Sequence, residues 1–440
     1  MSFELMAPLM FGALVVFLLI GYPVAFSLGA VGLLFGLIGV ETGLLQMNLF
    51  QAIPERIFGI MGNQTLLAIP FFTFMGLILE RSGMAEDLLD TMGQLFGPIR
   101  GGLAYAVIIV GTLLAATTGV VAASVIAMGL ISLPVMLRYG YSPSLASGVI
   151  AASGTLAQII PPSLVLIVMA DQLAVSVGDM YQGALVPGLV LTGLYAVFIL
   201  LVSLFKPASA PALPPEARTL RGKALAKRVL TTMAPPLLLI FLVLGTIFMG
   251  IATPTEGGAM GASGALALAL IHRRLDLSLL KQAMDVTAKL TSFVLFILIG
   301  STVFSLIFRG VDGDLWVEGL LTALPGGVIG FLLLVNLLVF VLAFFIDFFE
   351  IAFILVPLLA PVAQKLGIDL VWFGVLLSVN MQTSFMHPPF GFSLFYLRSV
   401  APKEVKTTDI YWGAIPFVII QIVMVGLIIV FPGLVSGDKM

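Results

Sequence analysis

The chain has 440 residues, 60% of them hydrophobic and only 10% charged, with a mean hydropathy of +1.19 and 20 Lys plus Arg against 22 Asp plus Glu for a net charge of −2. Soluble domains carry about 25% charged residues, so this composition excludes a soluble enzyme and, lacking a basic excess, a nucleic-acid binder. The absence of cysteine excludes disulfides, thiolate metal sites and thiol catalysis.

The first apolar run follows Met1-Ser2-Phe3-Glu4 with no Lys or Arg before it, which reads as a retained span rather than a cleaved signal. Apolar windows of roughly twenty residues then predict spans at Leu5–Ile20, Tyr22–Val40, Asn63–Leu79, Pro143–Ala170 and Gly183–Phe205. A second set follows at Val229–Met249, Glu256–Ile271, Thr291–Phe308, Leu370–Arg398 and Tyr411–Phe431. Between them, charges recurring on one face predict surface helices at Leu44–Ile60, Ala85–Phe96, Leu277–Lys289 and Leu315–Leu324, with ordinary loops as the alternative. Ile99–Leu137 and Val328–Lys365 are too long for one crossing and too apolar for loops. Each is interrupted near its middle, by Thr117-Thr118-Gly119 and by Ile346-Asp347, so each reads as a re-entrant hairpin. The 46 Gly and 25 Pro point to interrupted helices, which lipid tolerates only where protein or a water-filled cavity covers the freed backbone.

The chain also matches itself. Pro134 and Pro361, Gly140 and Gly367, and the pairs Pro161-Pro162 and Pro388-Pro389 share an offset of 227 residues. Gly29 with Gly261 and Gly32 with Gly264 share 232, and Asp179-Met180-Tyr181-Gln182-Gly183-Ala184 answers Asp409-Ile410-Tyr411-Trp412-Gly413-Ala414 at 230. The expected fold is an all-α polytopic membrane protein of two repeats, residues 1–206 with a hairpin at 99–137 and residues 229–440 with a hairpin at 328–365, joined by a basic linker at 207–228. Five crossings plus a hairpin per repeat is an odd count, so the second repeat is expected upside down. With the linker cytoplasmic, Arg81, Arg100, Arg138, His272-Arg273-Arg274, Arg398, Lys403 and Lys406 also fall inside, which satisfies the positive-inside rule and puts both chain ends on the outer face.

Inverted hairpins bring helix ends and unwound backbone together near mid-membrane, where helix N-termini favour anions and carbonyls favour cations. In the first half the candidates are Thr117, Thr118 and Gly119 with Ser153, Gly154 and Thr155, ahead of the helix break at Pro161-Pro162. Hydroxyls and freed carbonyls are the oxygen ligands that a hard cation such as sodium takes; plain helix packing is the alternative. In the second half they are Asp347 with Asn380, Gln382, Thr383, Ser384 and His387, ahead of Pro388-Pro389. A carboxylate at membrane depth costs about 2.5–3.5 kcal/mol, so Asp347 is a functional candidate unless a neighbouring charge neutralises it. Glu350 is either a second ligand or a vestibule residue, and His387 either a substrate or proton ligand or a structural residue. No phosphate-cradling Gly-x-x-x-x-Gly-Lys run, His-Glu-x-x-His or Gly-x-Ser-x-Gly occurs, so no motif speaks for an enzyme, and Gly257–Gly264 reads as close helix packing.

Asn63-Gln64-Thr65-Leu66-Leu67-Ala68-Ile69-Pro70-Phe71-Phe72, the Gly154-Thr155-Leu156 step before Ile160-Pro161-Pro162-Ser163, and Pro-Pro-Phe-Gly at 388–391, in this order over essentially the whole chain, resemble the large membrane subunit of tripartite ATP-independent periplasmic (TRAP) transporters. The resemblance implies a protein of the bacterial inner membrane that takes up a small organic-acid anion with sodium as the coupling ion and no other cofactor. It also implies a soluble periplasmic binding protein and a small four-span membrane subunit as partners, and an elevator motion of hairpins and broken helices past a scaffold. The sodium sites it implies fall on Thr118, Gly119, Gly154 and Thr155, and on Asp347, Thr383 and Ser384. Ser153, Asn380, Gln382 and His387 are left as candidates for the substrate. This sequence departs from the family pattern at Thr117-Thr118-Gly119-Val120, where Ser-Gly-Ser is common, and at His387, where Thr is common. Asn380–Phe385 resembles the branch associated with 2-oxo acids, lactate-like acids and chloroaromatic acids. The rival readings are a stand-alone secondary carrier without a binding protein, and a channel-like subunit.

Overall fold

The computed structural model describes residues 3–388 and 391–436, which form helices with no strand among the described residues. The N-terminal half contains α1 (Phe3–Ile20), α2 (Val24–Glu41), α3 (Ala52–Met61), α4 (Ala68–Arg81), α5 (Met84–Phe96), α6 (Gly102–Thr118), α7 (Val121–Arg138), α8 (Pro143–Thr155), α9 (Leu164–Gln172) and α10 (Val177–Phe205). The C-terminal half contains α11 (Gly222–Phe248), α12 (Pro254–Ile271), α13 (Leu277–Gly310), α14 (Gly313–Thr322), α15 (Gly327–Leu342), α16 (Phe348–Ile354), α17 (Val356–Lys365), α18 (Leu370–Met381), α19 (Phe392–Val400), α20 (Thr407–Val430) and α21 (Gly433–Ser436).

By length and composition, six helices among the described residues are apolar enough to cross a membrane, or up to nine if each bent pair is one span. Ten crossings and two hairpins are expected from the sequence, with helix breaks at Pro161-Pro162 and Pro388-Pro389. The segments at Pro143–Ala170 and Leu370–Arg398 are each two short helices separated by a break, and Leu5–Ile20 and Glu256–Ile271 also fall outside the six. Proline has no N–H to donate and clashes with the preceding turn, so Pro161-Pro162 favours a break after α8, although α11 runs through Pro235-Pro236. The surface supports a membrane location, since Leu33, Phe241, Leu204 and Ile419 point outward from long helices.

Other boundaries also differ from expectation. Leu277–Lys289 and Thr291–Phe308 are one continuous helix of 34 residues, α13, because no proline or turn residue separates the charged segment from the apolar one. Leu44–Ile60 is instead a 3-10 turn at Met47–Gln51 leading into α3, which bends 48° into the following helix. The linker's Lys223, Lys227 and Arg228 belong to α11, whose exposed first turns they occupy. Arg228 pairs with Asp90 at 3.1 Å and Arg274 with Asp87 at 2.7 Å, which fastens α11 and the end of α12 to α5. The opposite face of α5, Met84, Ala85, Leu88, Leu89 and Met92, is buried, as amphipathic patterning requires.

The two halves interlock through glycines. α2 lies on α13, where a Cβ at Gly32 would stand 3.0 Å from the Phe304 backbone, and α12 lies on α4, where Gly258 and Gly261 face Phe71 and Met75. α8 and α20 meet at Gly148 and Gly413, so closely that a Cβ on Gly148 would fall 2.1 Å from the Gly413 carbonyl oxygen. Lipid tails are as apolar as leucine, so such small-residue contacts, rather than hydrophobic exclusion, hold membrane helices together. The glycine run at 257–264 does the packing expected of it.

Candidate functional site

Two sets of helices, α6 with α7 and α15 with α16 and α17, border the two helix breaks. In the first, α6 ends at Gly119, whose φ of +57° suits glycine, and Val120 is extended before α7 begins. The tip rests on the first break, since a Cβ on Gly119 would lie 3.3 Å from the Pro162 carbonyl oxygen. Its arms hold α8 through close contacts: Gly111 faces Ser153, and Gly154 faces Val125. Gly154 is therefore a packing residue in this conformation. The Thr117 hydroxyl donates to the Leu114 carbonyl at 3.0 Å, within its own helix. The Thr118 side chain lies outside the described features, as does Pro389.

Between α8 and α9 the backbone passes through a 3-10 turn and a cis Pro161-Pro162 bond. Pro162 has no N–H for the Gln158 carbonyl. The Ser163 hydroxyl donates to that carbonyl instead, at 2.5 Å, while its oxygen caps α9 by accepting from Leu166 N at 3.4 Å. The second break repeats the device, with the Ser393 hydroxyl donating to the carbonyl of Phe385, which lies 227 residues after Gln158.

The second hairpin descends through a bend of 52° between α16 and α17. Pro357 cannot bond to the Phe353 carbonyl four residues back, and the Ser301 hydroxyl of α13 fills that carbonyl at 2.5 Å. Asp347 is the N-cap of α16 in a reciprocal capping box: Glu350 N donates to Asp347 Oδ1 and Asp347 N donates to Glu350 Oε2, both at 3.0 Å. Glu350 lines a cavity of about 500 Å³ between the second hairpin, α13 and the α1–α2 turn. His387 is stacked on Phe344 at 4.0 Å and set edge-on to Phe340 at 4.5 Å, which seats the second break on the tip of α15.

The breaks meet each other directly. Gln382 Nε2 donates to Thr155 Oγ1 at 3.1 Å, and Thr155 Oγ1 donates to the Ala152 carbonyl at 2.8 Å. Tyr195 of α10 has its hydroxyl beside Thr155 and accepts from Gln421 Nε2 of α20 at 2.9 Å, so one buried network joins α8, α10, α18 and α20. Asn380 is spent differently: its Nδ2 donates to the carbonyl and Oδ1 of Asn336 on α15, at 2.8 and 2.9 Å, and Thr383 donates to the Asn380 carbonyl at 2.7 Å.

Around this network several buried polar atoms have no hydrogen-bond partner among the described residues. They are Ser153 Oγ, both amide atoms of Gln158, Gln382 Oε1 and Ser384 Oγ, while the His387 ring lies against the Ala343 carbonyl. Each residue is at most 3% exposed. A buried polar group left unmet costs about 1–3 kcal/mol, so each of these atoms calls for a partner such as an ordered water, an ion or a ligand. The structure thus brings Ser153, Thr155, Gln382, Thr383 and Ser384 into one neighbourhood and adds Gln158, Tyr195 and Gln421, which sequence reasoning missed.

Comparison with known proteins fits this geometry. Residues 11–434 match the family described as "Tripartite ATP-independent periplasmic transporter, DctM component". The chain belongs to this family. As a TRAP large permease it is 32% identical to the C4-dicarboxylate TRAP transporter large permease protein DctM of Pseudomonas aeruginosa, over 90% of this chain and 91% of that one. It is 30% identical to the protein of the same name from Rhodobacter capsulatus, over 97% of each chain. The sialic acid TRAP transporter large permease protein SiaM of Vibrio cholerae is 28% identical over 94% of this chain and 93% of its own. The fold also resembles the crystal structure of the Alcanivorax borkumensis YdaH transporter, with a TM-score of 0.62 and 17% identity over 89% of this chain and 90% of that one. The large permease is thus a transport component of a family concerned with solute uptake, not an enzyme family.

Proposed function

We propose that this large permease carries out sodium-coupled secondary uptake of a small organic-acid anion across the bacterial inner membrane, receiving it from a periplasmic binding protein and braced by a small four-span membrane subunit. The observation that carries this reading is the meeting of the two breaks at Thr155 and Gln382 amid unpartnered buried polar atoms. In this reading the two halves are inverted-topology repeats, the basic linker is cytoplasmic, both termini are periplasmic, and hairpins plus broken helices move as an elevator. Relatives named for C4-dicarboxylates, isethionate, sialic acid and 2,3-diketo-L-gulonate support an acid anion as substrate and leave several acids as candidates, 2-oxo acids included. The sodium ligands proposed are hydroxyls and carbonyls at Thr117–Gly119, Gly154–Thr155, Thr383 and Ser384, with Asp347; Ser153, Asn380, Gln382 and His387 serve the substrate.

The natural absence of cysteine makes the test direct. Ser153→Cys and Ser384→Cys chains in proteoliposomes would be labelled with a membrane-impermeant maleimide from either side. Labelling whose sidedness shifts with sodium and substrate supports alternating access at the breaks; labelling indifferent to both overturns it.

A further inference from the structure

A second polar cavity, of about 360 Å³, lies between α3, the Asn63 turn, the end of α9, the last third of α13 and Pro357 of α17. Its volume lies within the range of small-molecule sites. Three features give it a chemical character. First, α13 contributes Ser301, Ser305 and Arg309 to its lining, spaced four residues apart on one helical face, with the Ser301 hydroxyl already donated to the Phe353 carbonyl. Second, Arg56 joins from α3, and neither Arg56 nor Arg309 has a carboxylate within ion-pair distance among the described residues, whereas Arg228 and Arg274 do. Third, the cavity's own carboxylate is already occupied: Asp171 Oδ1 accepts from Asn63 Nδ2 at 2.6 Å and Oδ2 from Gln172 Nε2 at 3.0 Å.

We infer that this cleft between Arg56 and Arg309 is a capture site for small organic carboxylates, filled before the anion reaches the breaks. Two guanidinium forks whose geometry matches a carboxylate, against one amide-covered aspartate, leave the cleft net positive. Walls of one sign in a cleft raise the local concentration of the opposite ion and its arrival rate. The orientation set out above makes this mouth periplasmic, so the inference rests on that reading for its place in transport, but not for its ligand chemistry.

Two measurements test it together. Arg56→Gln, Arg309→Gln and the double variant would be reconstituted with the partner proteins for uptake of labelled acid across a range of ionic strength. The purified chains, in nanodiscs of zwitterionic lipid, would be titrated with succinate, pyruvate and inorganic phosphate while thermal unfolding is followed. The expected result is a KM raised roughly threefold to tenfold per arginine, kcat within about twofold, and a flattened salt dependence. A carboxylate-dependent thermal shift should be present in the natural chain and lost in the double variant. Wild-type KM and salt dependence in the variants would overturn the capture site while leaving the transport reading intact. A thermal shift without uptake of any acid would do the reverse. Phosphate protecting as well as succinate would overturn the carboxylate assignment in favour of a general anion or lipid-headgroup site. Neither shift nor uptake in the natural chain would overturn both.

Discussion

Gln382 and Thr155 share a hydrogen bond of 3.1 Å and stand 227 residues apart, the same offset that separates the two proline pairs. Positions at the same offset in the two halves therefore touch each other, and each stands where its α-helix ends, six residues before the first proline of its pair. A contact of this kind ties the state of one break to the state of the other. Thr155→Val and Gln382→Leu should each destabilise the purified permease by about 1–2 kcal/mol, because each leaves the other partner buried and unmet. The double variant should cost less than the sum of the two, as a thermal-unfolding double-mutant cycle would report. Strict additivity would mean the contact is incidental.

Gly119 carries a positive φ and presses on the Pro162 carbonyl. A side chain there meets a backbone penalty of roughly 1–2 kcal/mol and the crowding of a break that has to bind. Gly119→Val should reach the membrane at normal levels and lose most of its uptake, with Gly119→Ala intermediate. Full uptake by the valine variant would show that the tip is not where ion or substrate approaches.

Much of this region was legible in the sequence because it is built from backbone chemistry. Glycine where φ is positive and proline where an N–H is forgone mark positions 119, 161, 162 and 388 whatever packs around them. Tyr195 and Gln421 left no such mark, for each stands in the apolar stretch of a long helix and its partner lies 226 positions away. Gln158 was equally silent. Asp347 was visible as a carboxylate at depth, yet the Asp-x-x-Glu spacing to Glu350 is also a capping-box signature, and the structure uses it as one. The fused helix α13 was misjudged because charge patterning alone suggested a separate surface segment, while only a breaker residue would have ended the helix.

Capping and cation binding make separable demands on Asp347. Asparagine caps helices about as well as aspartate, whereas alanine costs about 1 kcal/mol. Asp347→Asn should therefore keep the thermal midpoint and lower the apparent sodium affinity, and Asp347→Ala should lose both. Sodium activation unchanged in the asparagine variant would leave Asp347 as a cap only.

His387 offers a similar separation. Its ring packs on Phe340 and Phe344, with the Ala343 carbonyl as a backbone partner for one nitrogen. His387→Phe should preserve the packing and raise the KM for the transported acid about tenfold, the equivalent of one hydrogen bond of roughly 1–1.5 kcal/mol. An unchanged KM would assign the histidine to packing.

At the bend of the second hairpin, Ser301→Ala would strip the Phe353 carbonyl of its donor. Loss of about 1–3 kcal/mol in unfolding measurements is expected for a buried acceptor left unmet, and a neutral substitution would show that another group reaches that carbonyl.

The most direct measurement is organic-acid uptake into proteoliposomes holding this chain, with and without an inward sodium gradient, adding the small membrane subunit and the binding protein separately and together. Uptake that requires sodium and both partners is the predicted result. Uptake by the chain alone, or uptake indifferent to sodium, would contradict it.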